Sequence, residues 1–281
     1  VTSARPDPDG FLARFVAFGE RPDVARYRAL FHPDATLRDA GMAQPIRGPE
    51  IAEHIEAVLE QVPDFRMTPE RWRERDGTVF VEARNQATLG AHVARWRSIY
   101  CVDLSGDRVI RGRRYYDRRP LFARLDPSIP ALPAPTPAMG AEPPPGPPLD
   151  CAEAVVRAFG RAFEGDDGDA FAALFREDGS FFGPDLTRPL GRRELAGYHA
   201  ALHALLAGPR MKRVAFAGDD RLAFAEWEIH ASLAGEPVLL RVADRFDWAG
   251  GGIVAGRAYF DTLELAGRLA APAPPASGGP A

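Results

Sequence analysis

The chain has 281 residues, 46% of them hydrophobic and 26% charged, with a formal net charge of −4. That length suits two cores of ordinary size, and the composition is that of a soluble globular protein. No apolar run reaches the length of a membrane-spanning helix, and a nearly neutral chain whose arginines alternate with acids gives no electrostatic case for nucleic acid.

Val1 to Asp9 carry neither the basic start nor the apolar core of a signal peptide, and the two cysteines, Cys101 and Cys151, show no CxxC spacing. Together these predict a reduced, cytoplasmic protein. Phe11, Phe15 and Phe18 recur at helical spacing, and a second short helix leads to Leu30-Phe31 and a strand entry at Asp34-Ala35-Thr36. Pro49 and Glu50 open a third helix, with Ile51, Ile55, Leu59 and Val62 on one face. Residues 78–88, 93–104 and 108–116 read as strands, set off by turns at Asp76-Gly77, Leu89-Gly90 and Ser105-Gly106. The predicted unit is a curved antiparallel sheet around a long helix, with a pocket between them because one sheet face exceeds what the helices fill.

From Leu125 to Asp150 prolines remove backbone donors and fix φ, which predicts an extended spacer. Beyond it the pattern returns at a constant offset of 144 positions: Phe15 with Phe159, Met67 with Met211, Phe80-Val81-Glu82 with Phe224-Ala225-Glu226. The last strand matches best, Arg113-Arg114-Tyr115-Tyr116-Asp117 against Arg257-Ala258-Tyr259-Phe260-Asp261. One register held over about a hundred residues is a duplication. The expected division is a domain at 9–125, a linker at 126–149, a domain at 150–268 and a disordered tail at 269–281.

The segments LFHPDATLRD and PIRGPEIAEHI, their counterparts FREDGSFFG and PLGRRELAGYH, and the strand ends RRYYD and RAYFD resemble the SnoaL-like branch of the nuclear-transport-factor-2-like superfamily. Polyketide cyclases, ketosteroid isomerases and limonene-type epoxide hydrolases belong to it. The resemblance implies an α+β fold class with two tandem NTF2-like, cone-shaped domains, paired through their sheets as an intrachain pseudo-dimer, with a homodimer of the whole chain as a further option. It also implies acid–base chemistry on an apolar, polyketide-like or ring-containing small molecule, with no cofactor. The alternative class is a non-catalytic binding or scaffold protein, because the superfold serves both.

In the isomerases a first-strand carboxylate is the base and a donor opposite steadies the enolate. Asp39 stands at that base position, 24 residues after Phe15, which occupies the place of the family's oxyanion tyrosine. Tyr100 is the candidate donor. In the second half Gly183 replaces the base, and Asp185, two residues on, reaches the site if the loop bends. The run Asp244-Arg245-Phe246 resembles the cyclases' acid/base stretch, and Asp117 and Asp261 match the aspartate that ends the last strand of limonene-type epoxide hydrolases. The candidate sets are therefore Asp39, Tyr100 and Asp117 in one half, and Asp244 with Asp261 in the other. The competing reading of Asp117 and Asp261 is structural, a strand-end carboxylate bonded to nearby N–H groups or an arginine. The Arg and Asp of the epoxide-hydrolase middle strand are absent, replaced by Ala83 and Asn85, and by Trp227 and Ile229. Phe15, Asn85, Trp96, Tyr115, Trp227, His230 and Tyr259 are the expected pocket lining. His199 and His203 have the spacing of a helical metal pair but no third ligand, so no metal is expected.

Overall fold

Asp7 starts the first helix by accepting the Gly10 N–H at 3.0 Å, and Pro8 supplies a first-turn residue that needs no donor. The computed structural model describes residues 4–132 and 134–270, so most of the expected tail lies outside the described residues. The first half runs α1 (Pro8–Glu20), α2 (Val24–Ala29), β1 (Phe31–Arg38), β2 (Ile46–Arg47), α3 (Pro49–Gln61), β3 (Arg66–Arg75), β4 (Thr78–Leu89), β5 (His92–Ser105), β6 (Arg108–Tyr115) and α4 (Arg119–Phe122). The second repeats this as α5 (Ala152–Glu164), α6 (Gly168–Ala172), β7 (Phe175–Phe182), β8 (Leu190–Gly191), α7 (Arg192–Leu205), β9 (Leu206–Gly218), β10 (Leu222–Leu233), β11 (Glu236–Ala249) and β12 (Gly252–Tyr259), and adds α8 (Thr262–Ala270). Among the described residues no helix is long and apolar enough to cross a membrane.

Each half is thus an α+β domain with a six-stranded sheet, ordered β2-β1-β6-β5-β4-β3 and β8-β7-β12-β11-β10-β9. The sheets are antiparallel except for β1 beside β6 and β7 beside β12, which run parallel. A helix and three long strands separate the members of each parallel pair, more than enough chain for a crossover. The sequence reading did not name β3. Its residues MTPERWRER are largely exposed and Pro69 interrupts them, which only an edge strand tolerates. Asp76 and Gly77 both take positive φ, 52° and 80°, in the two-residue turn that joins β3 to β4.

The two-residue period of the strands divides each sheet into two apolar faces. On the inner face of the first half, Val79, Val81, Ala83 and Ala87 meet Phe11, Phe15 and Phe18 of α1. In the second, Ala223, Ala225, Trp227 and Ile229 meet Val155, Phe159 and Phe163 of α5. The outer faces pack on each other, with Phe80, Ile99, Cys101 and Tyr115 against Ala217, Phe224, Ala243 and Tyr259. Phe80 and Phe224 are equivalents in the repeat, and their rings stack at 5.7 Å. The polar contacts around them are reciprocal: Tyr115 donates its hydroxyl proton to Glu226, and Tyr259 to Glu82. Equivalent residues exchanging contacts in this way describe an isologous interface inside one chain.

Candidate functional site

The strand period decides first which candidates face a cone. On β12 and the residues after it, Ala258 and Phe260 turn inward, while Tyr259 and Asp261 turn to the other half. On β6, Arg114 lines the first cone, while Tyr115 and Asp117 reach the second half. Asp117 accepts the Thr262 N–H at 3.0 Å, the Thr262 hydroxyl at 2.8 Å and the Arg119 N–H at 3.1 Å. Asp261 accepts from the Arg118 N–H at 3.1 Å and its Nε at 2.7 Å. These aspartates form a clasp between the halves, which corrects their placement beside Asp39 and Asp244. Tyr115 and Tyr259 leave the lining of the cones for the same reason, and Tyr115 lines the space between the halves instead. His230 leaves it too: Trp227 and Ile229 point inward on β10, so His230 faces outward and is exposed. Replacing Asp117 by Ala removes three hydrogen bonds and is expected to destabilise the fold by roughly 1–3 kcal/mol without changing any ligand affinity, checked by urea denaturation and titration.

In the first half Asp39 is buried and clasped by Arg114, whose Nε donates to Oδ1 at 2.7 Å and whose Nη2 donates to Oδ2. His54 Nε2 lies 3.3 Å from Oδ2, and the Ala40 N–H donates to Oδ1 at 2.7 Å. Burial opposes ionisation of Asp39, but the Arg114 guanidinium and His54 override it and hold the carboxyl below its ordinary pKa. A carboxylate so stabilised is a weak base. Arg114 also lies 5.8 Å from the Tyr100 ring centroid, with its charge between the two members of the expected pair. The Tyr100 hydroxyl donates to Asn85 Oδ1 at 3.2 Å, and Asn85 Nδ2 donates to Ser98 at 2.8 Å, so both side chains are spent internally. Phe15 packs edge-on against Tyr100, and Trp96 lies against Phe65 and Tyr116. About 30 Å³ of cavity remains in this cone.

The second half differs at three linked positions. Gly183 stands where the first has Asp39, Ala258 where it has Arg114, and Asp244 where it has Tyr100. The acid–arginine pair is gone, and a carboxyl has been placed where no cation faces it. The strand register sets Asp244 between Ala225 and Ala258, whose methyl groups neither fill the space nor offer a hydrogen bond. Asp244 is 2% exposed, and among the described residues its Oδ1 and the Trp227 Nε1 have no hydrogen-bond partner. Burial pushes the Asp244 pKa up to about 8, opposed by the nearby Trp227 indole. Around it lies a cavity of about 60 Å³, walled by Phe159, Phe181, Leu240, Val242 and Phe260.

Two further groups complete this site, and the sequence reading weighed only one of them. Asp185 does bend back: a Cβ at Gly183 would lie 2.5 Å from its Oδ1, so the glycine makes the space it occupies. Burial raises the Asp185 pKa, and the Tyr198 hydroxyl lies 3.0 Å from its Oδ2. Tyr198 stands at helical spacing with Leu195 and Leu202, a pattern that by itself predicts core. The signal that could have marked it is the hydroxyl itself, which needs a partner when buried. His199 and His203 both turn Nε2 toward the last carbonyls of α5, at 3.1 Å and 2.7 Å, and so close the end of that helix.

The SnoaL-like domain family matches residues 12–112 and 156–256, two spans separated by the same 144 positions as the internal repeat. No curated protein matches the chain. Solved structures similar to it include a protein of ketosteroid isomerase-like fold from Catenulispora acidiphila, crystallised with trimethylamine; it is 19% identical over 38% of this chain and 85% of its own, with a TM-score of 0.36. An NTF2-like protein from Anabaena variabilis is 19% identical over 39% and 85%, with a TM-score of 0.36. An LEH-like epoxide hydrolase from M. tuberculosis is 19% identical over 42% and 94%, with a TM-score of 0.34.

Proposed function

This chain belongs to the SnoaL-like domain family, matched in both halves, and on that premise we propose that it is a small-molecule acid–base enzyme whose working pocket is the second cone. The observation that carries the reading is the carboxyl of Asp244, buried without a counter-ion in an apolar cavity, with an unpartnered oxygen among the described residues and a pKa pushed up to about 8. A carboxylic acid kept neutral by burial can donate a proton at pH 7, which an ordinary aspartate cannot. Asp244 protonates a carbonyl or epoxide oxygen as negative charge develops there. Asp185, pinned by Tyr198, is the second carboxyl within the same walls, available to take a proton released from carbon. The substrate is an apolar, ring-containing or polyketide-like molecule, and the reaction an isomerisation, a cyclisation or an epoxide opening. Each moves protons between side chains and substrate and needs no cofactor. The first cone is the silent half, because Arg114 holds Asp39 as its counter-ion.

The test is turnover of a panel of apolar ketones, epoxides and polyketide fragments, followed by mass spectrometry across pH. With Asp244 as the acid and Asp185 as the base, kcat/KM is expected to rise as Asp185 ionises and to break at about pH 8, falling about tenfold per unit above it as the Asp244 carboxyl ionises. A pH profile with no inflection in that region removes Asp244 from the chemistry. The small size of both cavities favours one alternative, a binding or scaffold protein. In that case panel members bind to the wild type and to Asp244→Asn alike, and neither releases product.

A further inference from the structure

A cleft of about 600 Å³ opens between the two halves, sharing Arg113 and Arg114 with the first cone and an apolar wall with the second. Among the described residues six arginines and three carboxylates line it, on a chain whose overall charge is −4. The carboxylates are already engaged: Asp39 by Arg114, Asp261 by Arg118 at 2.7 Å and Glu264 by Arg268 at 2.9 Å. Arg113 is held from below by Glu226 at 2.6 Å. Arg38 and Arg241 remain, and neither makes an ion pair among the described residues. The Nε of Arg241 is buried and has no hydrogen-bond partner among the described residues. Burial, and then the facing Arg241, hold the Arg38 guanidinium below its ordinary pKa, although the Glu228 carboxylate partly opposes them.

The internal repeat shows what a satisfied version looks like. Arg241 is the equivalent of Arg97, which receives Glu70 at 3.0 Å. Glu70 is the extra residue of a bulge in β3, where Pro69 pairs with Ala83 and Arg71 with Glu82. The same bulge recurs in β9 between Arg213 and Ala215, and its extra residue is Val214. The second half has therefore kept the arginine and lost its acid. Glu228 lies directly across the ladder from Arg241 but gives its carboxylate to Lys212 at 3.1 Å. On the opposite wall Arg38 takes the place that Phe182 holds in the other half, adding a second cation where the repeat has a ring.

We propose that this cleft is a binding site for a small organic anion, whose carboxylate or phosphate group sits between Arg38 and Arg241. Guanidinium forks suit either group, because their paired N–H donors match two oxygens of one anion. Leu240, Phe260 and Leu265 line both this cleft and the Asp244 cavity. An apolar body attached to the anion lies against that shared wall. The site is independent of any proton transfer by Asp244.

Calorimetric titration of the full chain with inorganic phosphate and with 2-naphthoate, at constant ionic strength, tests the proposal. Saturable binding of at least one anion is expected, weakened at least about tenfold by Arg38→Gln and by Arg241→Gln and unchanged by Arg97→Gln, whose arginine already has its acid. Tighter binding of naphthoate identifies a carboxylate on an apolar body, and tighter binding of phosphate a phosphate ester. Both glutamine variants relieve a repulsion, so their melting temperatures are expected to match or exceed that of the wild type, which separates lost binding from lost folding. Arg241→Lys keeps the charge without the fork and is expected to fall between wild type and Arg241→Gln. Absence of saturable binding by the wild type, or an equal loss in Arg97→Gln, overturns the proposal.

Discussion

Asp244→Asn is expected to lower turnover at least about a hundredfold and at the same time to make the protein more stable at pH 8 than the wild type. The sign follows from linkage. Asp244 titrates at about 8 in the folded protein against an ordinary value of 3.8, so between those limits the folded state holds a proton that the unfolded state has released. Stability therefore falls as pH rises through that window and levels off above it. Four units of displacement correspond to an upper limit on the order of 5 kcal/mol. Asparagine has the same shape and no proton to lose, so its advantage should be absent near pH 4 and full at pH 8. Asp117 and Asp185, also raised by burial, add the same slope to both proteins and cancel from the comparison. Thermal melts of the two proteins across pH measure the difference. Parallel curves would mean that Asp244 ionises normally and that the proposed proton donor does not exist.

Glu226→Ala is expected to be the most damaging substitution outside the cones. Glu226 accepts from Arg113 Nε at 2.6 Å and Nη2 at 2.9 Å, from the Tyr115 hydroxyl and from the Cys101 thiol, all contributed by the other half of the chain. Its removal leaves Arg113 buried with Asp103 alone, 3.0 Å away. Breaking a buried ion pair costs up to about 3–5 kcal/mol, so even with Asp103 retained Tm should fall by roughly 5–15 °C. Its repeat equivalent, Glu82, gives a control: it accepts the Tyr259 hydroxyl, but its arginines approach only to 3.8 and 4.0 Å. Glu82→Ala should therefore cost less. The double variant Arg113→Met/Glu226→Leu, which removes this ion pair while Asp103 keeps Arg111, should recover most of the loss. Equal melting temperatures for Glu82→Ala and Glu226→Ala would show that the ion pair contributes nothing beyond the tyrosine hydrogen bond.

The repeat, the helix faces and the strand turns were legible in the sequence because they depend on local patterns: the spacing of Phe11, Phe15 and Phe18, the proline at 49, the Asp76-Gly77 pair. The edge strand β3 was not, since exposed charge and Pro69 erase the alternation by which strands are read. Among the site residues Asp244 was found through the Asp-x-Phe run, and Asp185 through its distance from a missing base. The environments of those residues were out of reach, because they depend on neighbours more than a hundred positions apart or on the opposite strand.

The sequence by itself determined the duplication, the order of the elements and the set of carboxylates that could act. Only the tertiary structure decided which carboxylates are free. Asp117 and Asp261 became a clasp because the two-residue period of their strands turns them outward, toward the other half. Asp39 became the counter-ion of Arg114 because parallel pairing of β1 with β6 sets the two side by side. Asp244 stayed without a counter-ion because antiparallel register placed alanines on both sides of it and burial withheld water. A carboxyl's chemistry is set by the charges and solvent within a few ångströms, and that neighbourhood exists only once the chain has folded.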